Sequence, residues 1–174
     1  MANTSGHAIT SERFARRPIH RPDARRRIAG ETGRYLGAVS ILIVGAIHAQ
    51  QYYDAYLRVV PTIGTLFLLS FIGAAVVGTV LLAPVRMLGG RVGDLALSLA
   101  ALGAIGIALG TFVSLLYSEY APLFGFMESG YRLAIKLTLI FDSLTTVLLG
   151  VFIFAVVRSR RHAASAAVRS DDVM

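Results

Sequence analysis

Asp142, His48 and Lys136 are ionisable residues set inside long apolar stretches of this 174-residue sequence. Charge in hydrocarbon is costly, so an acid or base kept there is by default a candidate for a proton relay or a ligand contact. Asp142 lies about ten residues into its stretch, roughly 15 Å deep at 1.5 Å per residue. Thr138, Thr145 and Thr146 stand at i−4, i+3 and i+4 from it and share its side of a helix. The plainest role for this cluster is an interhelical clasp, in which an uncharged carboxyl donates to a carbonyl or to His48. The sharper roles are a proton-relay step or a salt link to a partner's cation.

His48 is followed by Gln50, Gln51, Tyr52 and Tyr53, and Gln51 and Tyr52 share its face. A hydrogen-bonded interfacial histidine accounts for that run. Haem ligation asks for a second axial residue within the bundle. His7, His20 and His162 all fall in the tails, so haem would need His48 paired across a dimer. His48, Asp54, Glu119 and Glu128 lack any metal-site spacing such as HExxH, so neither a metal nor a cofactor is expected. Lys136 sits one turn from a span end and can snorkel to the surface. There is no GxSxG, phosphate loop or dinucleotide fingerprint. Gly89-Gly90-Arg91-Val92-Gly93 follows no strand and reads as a turn. No catalytic residue is nominated, and the chain reads as a non-enzyme. With no cysteine, disulfides, thiolate metal sites and thiol redox chemistry are excluded.

The elements that must position these residues are membrane spans. The chain is 55% hydrophobic and 16% charged, with a mean hydropathy of +0.66, whereas soluble domains carry about 25% charged residues. A span needs about 20 mostly apolar residues. Tyr35–Tyr53, Val59–Val85, Leu95–Ser118 and Leu133–Val157 meet that requirement, the last interrupted by Lys136 and Asp142. Helices are expected near 35–54, 60–83, 94–117 and 132–157, giving an all-α, four-helix transmembrane bundle over 34–157. Residues 1–33 are expected to be a disordered Arg-rich tail and 158–174 a second tail.

Positive charge sets the orientation. Of the 17 Lys and Arg, all but Arg58, Arg132 and Lys136 fall on the side of the two tails and the 84–93 loop. Both termini are therefore expected in the cytoplasm, in a multi-pass protein of the plasma membrane. Tyrosine gathers at membrane interfaces. Tyr52, Tyr53, Tyr56, Tyr117, Tyr120 and Tyr131 all fall at the outer side, and only Tyr35 at the inner one. The basic tail, Leu36–Ala46 and Ile47-His48-Ala49 also have the form of a signal peptide cleaved after Ala49. A retained first span with a polar, aromatic end is the preferred expectation.

The N-tail arginines are suited to anionic lipid headgroups, each adding about 1 kcal/mol near the surface. Phe14 is the tail's sole aromatic, so there is no stacking platform for nucleic acid. In the outer 118–131 loop, Phe124, Phe126 and Met127 are too apolar for water and are expected in the interface or folded over the bundle.

Span association in lipid relies on close packing and a few polar contacts. Ala96, Ala100, Ala104 and Ala108 repeat every fourth residue of the third span, beside Gly103, Gly106 and Gly110. Ala74 and Gly78 offer a similar face on the second span, and Gly45 and Ala49 on the first. These faces serve packing within the chain, or a homo- or hetero-oligomer formed through span three.

Gly45-Ala-Ile-His48, Pro61-Thr-Ile-Gly-Thr-Leu-Phe-Leu-Leu69 and Leu123-Phe-Gly-Phe-Met-Glu128 together resemble small four-span integral membrane proteins of actinobacterial type. The resemblance covers residues 35–157 and implies a plasma-membrane location with no established activity. His48 and Glu128 match its polar positions, whereas Asp142 is a shorter acid where Glu is expected. The functional expectation is a non-enzymatic accessory subunit of a membrane complex. The alternatives are a small proton-coupled transporter using Asp142 and His48, and a haem- or quinone-linked redox subunit.

Overall fold

In a computed structural model, residues 22–54, 61–85, 90–122 and 132–171 are described. The expectations for residues 1–21, for Glu128 and for the 123–131 segment lie outside the described residues. Four helices follow one another: α1 (Pro22–Asp54), α2 (Pro61–Leu82), α3 (Gly90–Tyr120) and α4 (Leu133–Asp171). All four are long and apolar enough to cross a membrane, and no strand occurs among the described residues.

Local chemistry sets the ends. α1 and α2 both open on proline, whose missing N–H is no loss at a helix's first position. Pro84 disfavours helical backbone at Ala83, and α2 stops there after a last Ala83 N–H to Thr79 carbonyl bond of 2.9 Å. Pro122 follows the end of α3 in the same way.

α1 starts at Pro22 rather than near residue 35, and α4 runs to Asp171 rather than near 157. The added turns of α1 around Gly30 and Gly33 pack on α4, whereas residues 158–161 and Ser165 in the extension of α4 are exposed. A Cβ on Gly30 would stand 3.2 Å from the Ala155 Cβ, and one on Gly33 only 2.7 Å from the Leu148 carbonyl oxygen. A Cβ on Gly37 would stand 2.6 Å from a Leu149 methyl. Glycines at 30, 33 and 37 share one helix face, and the α4 backbone lies directly on it. At 33 and 39 residues, α1 and α4 measure about 50 and 58 Å at 1.5 Å per residue. Both exceed a hydrocarbon core of about 30 Å. α2, with 22 residues, is about 33 Å long and just crosses it.

The helices form an antiparallel ring in the order α1, α2, α3, α4. Gly30 pairs with Ala155 and Ser40 with Phe141, so α1 and α4 run oppositely. Gly45 meets Ala74 and Gly78 meets Leu42 across α1 and α2. Gly73 meets Ile107 across α2 and α3, and Thr111 meets Asp142 across α3 and α4. The start of α1 and the end of α4 therefore share one end of the bundle.

The core joins apolar side chains such as Ile41, Leu81, Leu97 and Phe152 with polar ones, and the exterior is apolar as well. Arg34, Ser40, His48, Ser118, Thr138, Asp142 and Thr145 are buried, while Leu69, Val76, Leu99, Val113, Val147 and Phe154 face outward. Such an apolar exterior is a cost in water and the natural surface against lipid tails. Exposed hydroxyls are quenched within their own helices: Thr65 donates to the Pro61 carbonyl, Thr79 to Ala75 and Ser143 to Leu139.

Candidate functional site

Two polar centres lie in the membrane domain, and one residue links them. The first is Asp142 in α4, 1% exposed. The Thr111 hydroxyl on α3 donates to Asp142 Oδ2 at 2.7 Å and also lies within reach of the Ile107 and Ala108 carbonyls. Asp142 Oδ1 is buried without a hydrogen-bond partner, and so is the Thr145 hydroxyl one turn on. Thr138 and Thr146 do not join the carboxyl group. Thr138 donates to the Ala134 carbonyl, and Thr146 donates to the backbone carbonyl of Asp142. Asp142 thus meets α3, not His48. The register of α1 on α4 explains this, because Ser40 is the α1 residue that meets α4 beside Asp142 and His48 lies eight residues, about 12 Å, further along α1.

The second centre is a cavity of about 560 Å³ between α2 and α3 with His48 of α1 in its wall. His48 is 6% exposed. Its Nδ1 stands 2.8 Å from the Val44 carbonyl oxygen. A carbonyl only accepts, so Nδ1 carries the proton. The Phe67 ring lies 5.0 Å from the imidazole, tilted by 45°. Ser70, Thr111, Ser114 and Ser118 contribute hydroxyls to the wall, and the rest is apolar. Gln51, three residues beyond His48, is half-buried and does not line the cavity. Thr111 belongs to both centres, since it borders the cavity and holds Asp142.

The small residues divide into two sets. Ala74, Gly78, Ala100 and Ala104 are buried between helices of this chain. Gly106 and Gly110 are exposed, and a Cβ at either would meet nothing within 4 Å. They border the cavity rather than a packed helix.

Thr111, Ser40 and the Gly30–Gly33–Gly37 face were not singled out in the sequence. Ser40 donates to the Phe141 carbonyl at 3.0 Å and ties α1 to α4 beside Asp142. Arg34 is also buried at 3% exposure, paired to Glu31 at 3.3 Å with its guanidinium 4.3 Å over the Tyr35 ring. Among the described residues no group of three His, Cys, Asp or Glu side chains is placed to hold a metal ion.

Comparison with protein-family models, with curated proteins and with solved structures finds no match to this chain. Its class follows from the helices themselves. Four sufficiently long apolar helices, lipid-type exteriors and buried polar residues define a small multi-pass integral membrane protein.

Proposed function

We propose that this protein is a non-enzymatic accessory subunit of a larger complex in the plasma membrane, with both termini in the cytoplasm. The open pair Gly106 and Gly110 carries the reading. Glycine costs helix stability relative to alanine, about 1 kcal/mol per residue. A Cβ at either position would meet nothing within 4 Å among the described residues, so packing within this chain does not call for glycine there, and the pair leaves a place where another helix backbone can approach. The resemblance of the short motifs at 45–48, 61–69 and 123–128 to small four-span proteins of actinobacterial type supports the location. Arg25 and Arg27, exposed on the first turns of α1, support contact with anionic headgroups of the inner leaflet.

The test is native mass spectrometry after gentle extraction from the protein's own membrane. Protein mass beyond 18.6 kDa, lost on Gly106→Leu, is the expected result. The 18.6 kDa chain alone, with or without the substitution, defeats the reading.

One observation favours a second reading, a proton-coupled carrier using Asp142 and His48. Thr111 borders the cavity that His48 lines and also bonds Asp142, so one hydroxyl stands between that cavity and the acid. Proton flux in proteoliposomes that is unchanged by Asp142→Asn would remove it.

A further inference from the structure

The cavity between α2 and α3 sets one acceptor nitrogen, His48 Nε2, among four hydroxyls, of which those of Ser70 and Ser114 can donate as well as accept. The His48 Nδ1 proton goes to the Val44 carbonyl, and a neutral imidazole in that tautomer presents the Nε2 lone pair. Nε2 has no hydrogen-bond partner among the described residues. The Thr111 proton goes to Asp142 or back to its own helix, and the Ser118 proton goes to the Leu115 carbonyl at 2.8 Å. Both oxygens keep lone pairs for an occupant. Among the described residues no charged side chain lines the cavity, and none of them would compensate a charged guest.

The size and the walls narrow the choice. One water takes a share of about 30 Å³, far less than the 560 Å³ here. The mostly apolar wall gives additional waters few partners. Ligand sites span about 300 to 1,000 Å³ with apolar walls and a few placed polar groups. The rim of Leu66, Leu69, Gly106 and Gly110 is exposed on the lipid-facing side of α2 and α3, while His48 lies at the buried end. The tilted Phe67 ring beside the imidazole offers an aromatic contact at the depth of the acceptor nitrogen.

We infer that the α2–α3 cavity binds a neutral, lipid-soluble phenol that enters from the bilayer and donates its hydroxyl to His48 Nε2. The phenol ring packs against Phe67, and its apolar remainder fills the groove toward Leu66 and Leu69. The role goes beyond the accessory reading and does not rest on it, because His48 lies at the floor and the open glycines at the rim.

The test uses the full-length protein in phosphatidylcholine nanodiscs with 15N-labelled histidine. A short-chain hydroquinone is titrated in, with its dimethyl ether as a control of similar shape that lacks the donor. The hydroquinone is expected to move the His48 Nε2 resonance and to bind about tenfold more tightly than the ether, the worth of one hydrogen bond near the upper end of the usual range. His48→Phe keeps an aromatic ring and is expected to lose that advantage. Leu66→Trp fills the mouth, leaves His48 in place and is expected to abolish binding with helix content unchanged. Equal affinity for ether and hydroquinone, full affinity in His48→Phe, or no saturable binding to the wild type overturns the inference. Recovery of the larger complex in His48→Phe membranes reports on the accessory role separately.

Discussion

At the residue scale, Asp142 is held by a single interhelical donor. Thr111→Val keeps the side-chain shape and removes that donor. Hydrogen bonds between membrane helices average about 0.6 kcal/mol and reach about 1.7, so Thr111→Val is expected to destabilise the bundle within that range. Asp142→Asn keeps an oxygen that accepts from Thr111 and is expected to change stability by about 0.5 kcal/mol or less. Both are read by reversible unfolding of the purified protein in mixed micelles. A larger loss in Asp142→Asn than in Thr111→Val would show that the carboxyl group, rather than the bond, is what the fold requires. The acid and the histidine were both visible in the sequence as ionisable residues in hydrocarbon. Their partners were not. Thr111 is an ordinary hydroxyl in an apolar run, and only the rotation and register of α3 against α4 bring it to the carboxyl.

At the scale of elements, glycine has opposite meanings on α1 and α3. The Gly33 hydrogen occupies the only space between α1 and the Leu148 carbonyl of α4. A backbone oxygen cannot move aside, so Gly33→Ala is expected to cost about 1 to 3 kcal/mol, as overpacking does. Gly106→Ala enters open space and is expected to be neutral or stabilising by up to about 1 kcal/mol through helix propensity. The same unfolding experiment compares them, and equal costs would contradict the packing described. The sequence directed attention to the third span, where small residues are densest. A close approach to a neighbouring backbone lies instead at Gly33, near the start of α1, where arginines on both sides of Gly30 and Gly33 made the segment read as a polar tail. The Arg160–Asp94 pair between α4 and α3 spans 3.7 Å and is half exposed. Its removal is expected to cost no more than about 1 kcal/mol and to lose its effect in high salt.

At the scale of the whole molecule, the prediction concerns which side faces the cytoplasm. The chain has no cysteine, so single-cysteine labelling has no background. Ser129→Cys in intact cells is expected to react with a membrane-impermeant maleimide, while Ser5→Cys and Ser165→Cys react only after lysis. The opposite pattern would reverse the topology inferred from the arginines. The sequence by itself determined the class of molecule and the number of spans, because a bilayer imposes a length and an apolarity that each segment must satisfy alone. It also marked Asp142 and His48 by the cost of placing such groups in hydrocarbon. Only the tertiary structure decided which residues meet. Helix neighbours, the glycine face between α1 and α4, the Thr111–Asp142 bond and the cavity at His48 all depend on how four separate helices rotate and pair. Period and composition within one helix carry no record of that pairing, since lipid tails and leucine side chains are equally apolar and leave several faces of each helix equally able to turn inward.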